Sequence, residues 1–207
     1  MKNTFFILFL TFVYCDLNAF LLKDLYDNRT TWKKYDVMNN KNIYTGQGIN
    51  DDIVFIKIEQ QVDVDREELF EVLKDIELYN QVVSNKNLFS DIVKVENDTI
   101  YGHQLITNAI PLVRNRQYVF KMYNYDDSRL DWTLLDSKNI LMQNFLNKNA
   151  HNLYYGAGSW FLSEDDLLSY RMFIDDEVNL PNRFVQKIRV TSAVNIFDDI
   201  LHFLNSK

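Results

Sequence analysis

The side chains able to move protons or hold a metal are few and far apart. Histidine, whose charge changes nearest neutral pH, occurs three times: His103 in a strand-like "YGHQL", His151 in an Asn-rich loop, and His202 near the C-terminus. There is no HExxH, no Cys/His cluster, no Gly-x-Ser-x-Gly elbow and no glycine-rich phosphate loop ahead of a helix. "GAGSW", Gly156 to Trp160, reads as close packing inside a strand rather than as a nucleophile turn. The acidic runs Asp126-Asp127 and Glu164-Asp165-Asp166 fall at turns and read as solvated strand ends, not calcium ligands. General acid–base work needs groups positioned around one substrate, and His103 is the one histidine on a regular element. No cofactor and no metal is expected.

Aromatic residues are the feature left over. The chain holds 15 Phe, 12 Tyr and 3 Trp against 5 Gly and 2 Pro, more ring volume than a small core requires. Two readings stay open, a large aromatic core and an apolar cavity with aromatic walls. A net charge of −7 with no basic block argues against a nucleic-acid partner. It also argues against stable electrostatic docking on anionic membranes, leaving transient membrane contact at most. Oligomeric state is not legible.

At 207 residues and 47% apolar composition the chain suits one domain. Lys2 followed by "TFFILFLTFVY" and "CDLNA" reads as an export signal over residues 1–19, ending at Ala19. Such a protein would be periplasmic or secreted. Cys15 offers a lipoprotein alternative, although Tyr14 before it is larger than lipidation favours. With cleavage after Ala19 the mature domain, residues 20–207, keeps no cysteine and is held by packing alone. Asn28-Arg29-Thr30 and Asn97-Asp98-Thr99 match the glycosylation pattern.

Periodicity sets the elements that must position any site. "FLLKDLYDNRTTWKKYDV" spaces Leu22, Leu25, Tyr26 and Trp32 as a short amphipathic helix. "NIYTGQ" and "IVFIKIEQ" follow as strands. In "DVDREELFEVLKDIELYNQ" Asp65 caps a helix that Glu68 can complete as a capping box, and a second short helix starts near Glu77. From Asp91 the period becomes two, giving successive antiparallel strands joined at Asn97-Asp98, Asp126-Asp127-Ser128 and Glu164-Asp165-Asp166. Lys138 to Asn152 is ambiguous, with a strand around Leu141 and then a loop. The longest helix closes the chain, with Pro181 at its first position and apolar residues over more than half its circumference. The class is α+β, with helices on one face or end of an antiparallel sheet.

In this order of elements the chain resembles the START lipid-binding domain, within the birch-pollen-allergen-like helix-grip superfamily. Trp32 precedes "NIYTGQ" as a tryptophan precedes the first strand there. Asp75 and Tyr79 in "DREELFEVLKDIELYNQ" match the gripping helices, and "IPLVRNRQYVF", "GSWFL" and "NLPNRF" match later landmarks, with Gln117 where Asp is usual. The resemblance implies a curved antiparallel sheet wrapped around the long C-terminal helix, with an apolar tunnel between them. It gives Pro111 to a loop feeding a strand, Arg116 a structural role at that strand's start, and Arg114 a place in solvent. Parity then puts Tyr118, Phe120 and Met122 on the inward face, with Tyr101, His103 and Leu105 beside them. Trp132, Trp160, Tyr170, Met172 and Ile174 supply further walls, and Phe184, Ile188 and Phe197 close the tunnel from the helix. Direct packing of these side chains, with no void, is the plain alternative.

Members of the resembled family can hold a ligand hydroxyl or phosphate with an acid–base pair inside the tunnel. Here the nearest positions carry His103 or Gln104 and Met122, so a neutral, largely apolar ligand fits better, with His103 as its hydrogen-bonding handle. The resemblance implies a non-enzymatic carrier whose partner is a lipid or other apolar small molecule. The alternatives on the same fold are a polyketide cyclase or aromatase, and a protein-binding module with a dry cavity.

Overall fold

Asn97 and Asp98 have φ of 47° and 60°, a left-handed pair that Asn and Asp tolerate better than other non-glycine residues. Between them they reverse the chain from β4 (Leu88–Glu96) into β5 (Thr99–Ile106), pairing Glu96 with Thr99. Asn40 at 65° does the same between β1 (Thr31–Met38) and β2 (Lys41–Gln47). The computed structural model describes residues 22–23, 25, 30–38, 40–47, 54–107, 114–145, 148–175 and 182–207. The export segment with Cys15, the residues Asn28 and Arg29, and both Pro111 and Pro181 lie outside the described residues.

The remaining strands are β3 (Val54–Gln61), β6 (Asn115–Asp126), β7 (Arg129–Leu134), β8 (Ala150–Asn152), β9 (Gly156–Leu162) and β10 (Leu167–Ile174). The helices are α1 (Arg66–Lys74), α2 (Tyr79–Val82), α3 (Ile140–Phe145) and α4 (Asn182–Asn205). The sheet runs β1-β2-β3-β10-β9-β7-β6-β5-β4, antiparallel throughout, with short β8 added parallel to β6. Register breaks at Lys34/Asp36, Ile92/Lys94 and Asn124/Asp126 insert bulges that bend their strands. The chain is thus α+β, a curved antiparallel sheet carrying the C-terminal helix.

Helix α1 starts where the sequence places it: the Asp65 side chain accepts the Glu68 N–H at 2.9 Å. The reciprocal half of the capping box is absent, because the Glu68 carboxylate pairs instead with Lys207 Nζ at 2.9 Å. That ion pair moors the far end of α4. Buried Lys41 meets Asp198 at 2.5 Å, and the Ser84 N–H donates to Asp199 at 2.7 Å. Between these ties, Ala193, Val194, Phe197, Ile200, Leu201 and Leu204 bury one face of α4 against the sheet and α1.

Two readings need correction. The stretch through Trp32 is helical only at Leu22, Lys23 and Leu25 among the described residues, while Thr31–Met38 is an edge strand. Leu22 and Leu25 pack on Phe55, Ala157 and Phe173, covering the sheet's outer side, so the apolar spacing that suggested a longer helix serves two elements. Around Leu141 there is a helix, not a strand. The Asp136 carboxylate accepts the Lys138 and Asn139 N–H groups, Asn139 Oδ1 accepts that of Leu141, and Met142 packs on Val119 and Leu135.

The joint between α4 and the sheet is aromatic. Trp160 lies between Tyr170, its cross-strand partner at 4.0 Å and 12°, and Phe197 at 5.7 Å and 15°. Phe197→Ala should therefore destabilise the fold by about 3–5 kcal/mol, read as a fall in the urea midpoint at unchanged m-value.

Candidate ligand cavity

A cavity of about 130 Å³ lies between the concave face of the sheet and α4. Its walls from the sheet are Gln104 and Ile106 of β5, Tyr118, Phe120 and Met122 of β6, Trp132 of β7, Trp160 of β9, and Tyr170, Met172 and Ile174 of β10. Tyr79, Val83 and Leu88 line one side, and Ser192, Ala193 and Ile196 line it from α4. None of these described lining side chains bears a charge.

Two glycines make room for the rings. A Cβ on Gly102 would stand 2.5 Å from Phe120 Cζ, and one on Gly158 would stand 2.5 Å from the Trp132 ring. Each ring therefore lies over a neighbouring strand and leaves space beyond it.

The polar groups of the cavity are ordered by hydrogen bonds. The Tyr79 hydroxyl donates to the Leu73 carbonyl at 2.8 Å. The Tyr118 hydroxyl donates to Gln104 Oε1, and Gln104 Nε2 donates to Ser90 Oγ at 3.0 Å. Asn80 fixes Ser90 through both of its backbone groups, at 2.7 and 2.8 Å. Burial, above all, pushes all three phenols well above the ordinary tyrosine range, and the proximity of other phenols adds to the rise at Tyr79 and Tyr170. They are neutral at any physiological pH.

Tyr118, Phe120, Met122, Trp132, Trp160, Tyr170, Met172 and Ile174 stand where the sequence places them, on one wall. Phe197 is fully buried but stands behind Trp160 rather than at the cavity. His103 and Leu105 are corrected to the opposite face. Gln104 pairs with Tyr118 and Gly102 with Phe120 across the ladder, and antiparallel partners share a face. Tyr101 follows His103 outward, where it packs near Val119. His103 Nε2 instead meets Gln117 Oε1 at 3.3 Å, and Gln117 Nε2 donates to Asn152 Oδ1 at 2.7 Å. Gly102 was the available signal, since a glycine mid-strand marks the side on which another group comes close.

Phe184 and Ile188 are also corrected, being 48% and 49% exposed on the first turns of α4. A helix apolar over most of its circumference does not disclose its phase. Tyr79, Val83, Leu88, Ile106, Ser192, Ala193 and Ile196 were missed. Arg116 opens β6 opposite Ile106 and beside His151, half-buried, and Arg114 is exposed. His202 is exposed on α4.

The acidic turns lie apart from the cavity, beside an open surface groove with Arg66. Side-chain and backbone hydrogen bonds from Ser128 hold the Asp126 carboxyl below its usual range. Among the described residues no group of His, Cys, Asp and Glu is placed to hold a metal, and no helix is long and apolar enough to cross a membrane.

The phenols set a pH limit. Their folded pKa values lie above the unfolded value near 10, so the stability they contribute is complete below about pH 10 and is lost as pH rises further. The slope is about 1.4 kcal/mol per pH unit for each phenol. Absorbance at 295 nm should show three of the 12 tyrosines ionising only as the protein unfolds.

No family model matches the sequence, and no curated protein does. Solved structures do match. A STAR-related lipid transfer protein fragment from Xanthomonas axonopodis aligns at a TM-score of 0.70 and 15% identity, over 84% of this chain and 98% of the other. Human StAR-related lipid transfer protein 5 aligns at 0.69 and 13%, over 91% and 92%. An aromatase/cyclase from Streptomyces sp. R1128 aligns at 0.50 and 11%, over 73% and 94%. The fold is START-like, of the helix-grip kind, and it serves lipid-transfer domains and aromatase/cyclases alike.

Proposed function

We propose that this protein is a non-enzymatic carrier of a hydrophobic ligand, a lipid, held between the curved sheet and α4. The observation that carries the reading is the uncharged, aromatic-walled cavity under the helix. Covering apolar surface there is worth about 25 cal/mol per Å², so a few hundred Å² gives useful affinity without any chemistry. The solved lipid-transfer neighbours support the same kind of partner.

Cavity size sets a condition. At about 130 Å³ the space is close to the ~150 Å³ that accommodates one benzene ring. A lipid therefore enters only as the cavity enlarges.

The carrier reading is favoured over a cyclase. No carboxylate, imidazole or amine stands among the described lining residues, and a phenol whose pKa is raised by burial is a poor base at neutral pH. Export as a periplasmic or secreted protein belongs to the same proposal, since lipids need shielding between membranes. N-terminal sequencing of the mature protein should begin at Phe20, and an intact Met1 would refute export by cleavage.

The direct test is native mass spectrometry of the protein from its own host, followed by organic extraction. A co-purifying apolar molecule is expected. A clean apo mass, with no uptake from added lipid extract, would overturn the carrier reading. Ala193→Leu, which fills the cavity from α4, should weaken uptake at least about tenfold while costing the fold about 1–3 kcal/mol. Arg114→Ala should leave uptake unchanged.

A further inference from the structure

The side-chain amide of Asn97 has no task within the fold. It is exposed, and it joins no hydrogen bond among the described residues. Asn97 and Asp98 fill the two left-handed positions between β4 and β5, and the Glu96–Thr99 pair closes the turn behind them. A turn of this kind accepts Asn, Asp or Gly at either position. The backbone thus accounts for an Asn at 97, but not for the hydroxyl that follows it two residues on. Asn97-Asp98-Thr99 is the acceptor pattern for N-linked sugar that lies wholly within the described residues.

The surroundings of this tip call for a cover. β4 is the last strand of the sheet, paired only with β5 among the described residues, and such an edge invites a further strand from another chain. Ile92 and Val95, 40% and 61% exposed, stand on its concave side. There they continue the rows Gly102–Phe120 and Ile100–Met122 outward to the rim. The charges beside them neutralise each other, Lys94 Nζ meeting the Glu96 carboxylate at 2.8 Å. The opposite edge differs, because β1 holds Lys33 and Lys34 in solvent next to its bulge, and charge on an edge strand deters pairing.

We propose that Asn97 is a glycosylation site whose sugar stands over the Ile92–Val95 rim of this free edge. Transfer takes place on the chain during export, before β4 and β5 pair. Asn97 Nδ2 attacks the anomeric carbon of an oligosaccharide carried on a polyprenyl pyrophosphate. A carbon–nitrogen bond forms, the bond from that carbon to the pyrophosphate oxygen breaks, and the amide proton lost from Nδ2 balances the charge of the departing pyrophosphate. The Thr99 hydroxyl is the group by which the acceptor is recognised. In the folded protein the sugar has room, since the tip lies in solvent. The inference rests on the export part of the carrier reading, because a chain meets such a donor only in crossing a membrane.

The test is peptide mapping of the protein from its own host by mass spectrometry, with electron-transfer fragmentation, which leaves sugar on its residue. Asn97 should carry the mass of sugar residues in a chain that begins at Phe20. Thr99→Ala, which removes the acceptor hydroxyl and keeps both turn residues, should lose that mass entirely when made in the same host, and Thr99→Ser should retain it. In sedimentation velocity Thr99→Ala should self-associate about tenfold more strongly than wild type, and Val95→Lys added to it should reverse the change. Unmodified Asn97 in a chain that begins at Phe20, or sugar on Asn28 alone, would overturn this inference and leave export standing. Unmodified Asn97 in a chain that keeps Met1 would overturn both. Sugar on Asn97 with unchanged association of Thr99→Ala would uphold the site and overturn its covering role.

Discussion

Everything about the cavity depends on Trp160 being held on two sides. Its indole takes Tyr170 on one face and Phe197 on the other, so one side chain joins the middle of the sheet to α4. Such a stack fixes distance as well as contact, because rings cannot interpenetrate and do not compress. With the helix held off the sheet at this point, Ala193 and Ser192, about one turn earlier, are too short to reach the opposite wall. The void is what remains between a large fixed spacer and small neighbouring side chains.

Two further choices keep that void from being filled by the walls themselves. Phe120 and Trp132 belong to the strands that line the space, and either ring turned inward would occupy much of 130 Å³. Gly102 and Gly158 let the rings lie across the adjoining strands instead. The same geometry limits exchange at these positions, since a methyl group on either glycine collides with the ring that lies over it.

Much of this was legible in residue order. Alternation identified the inner face of β6 and β10, because Tyr118, Phe120, Met122, Tyr170 and Met172 recur at every second position of their strands. Asp65 announced its helix through a local hydrogen bond that needs no tertiary partner. What failed depended on relations between distant elements. The face of β5 is decided by which residue pairs with Tyr118, and its own sequence, with polar His103 and Gln104 adjacent, gives no alternation to follow. The phase of α4 is decided by the Trp160 stack and by buried Lys41, the distant partner of Asp198. Nothing in the helix's own residues points to either. Helix α3 was hidden because its capping groups, Asp136 and Asn139, also suit a turn.

The placement of the tryptophans has an optical consequence. Trp132 and Trp160 both line the cavity, while Trp32 stands on edge strand β1 beside Phe55, on the other side of the sheet. Two of the chain's three indole fluorophores thus face the space a guest would occupy, and the third is shielded from it by the sheet's own thickness. The protein carries a built-in emission reporter of cavity occupancy together with an internal reference, and exciting it at the red edge of indole absorption requires no label.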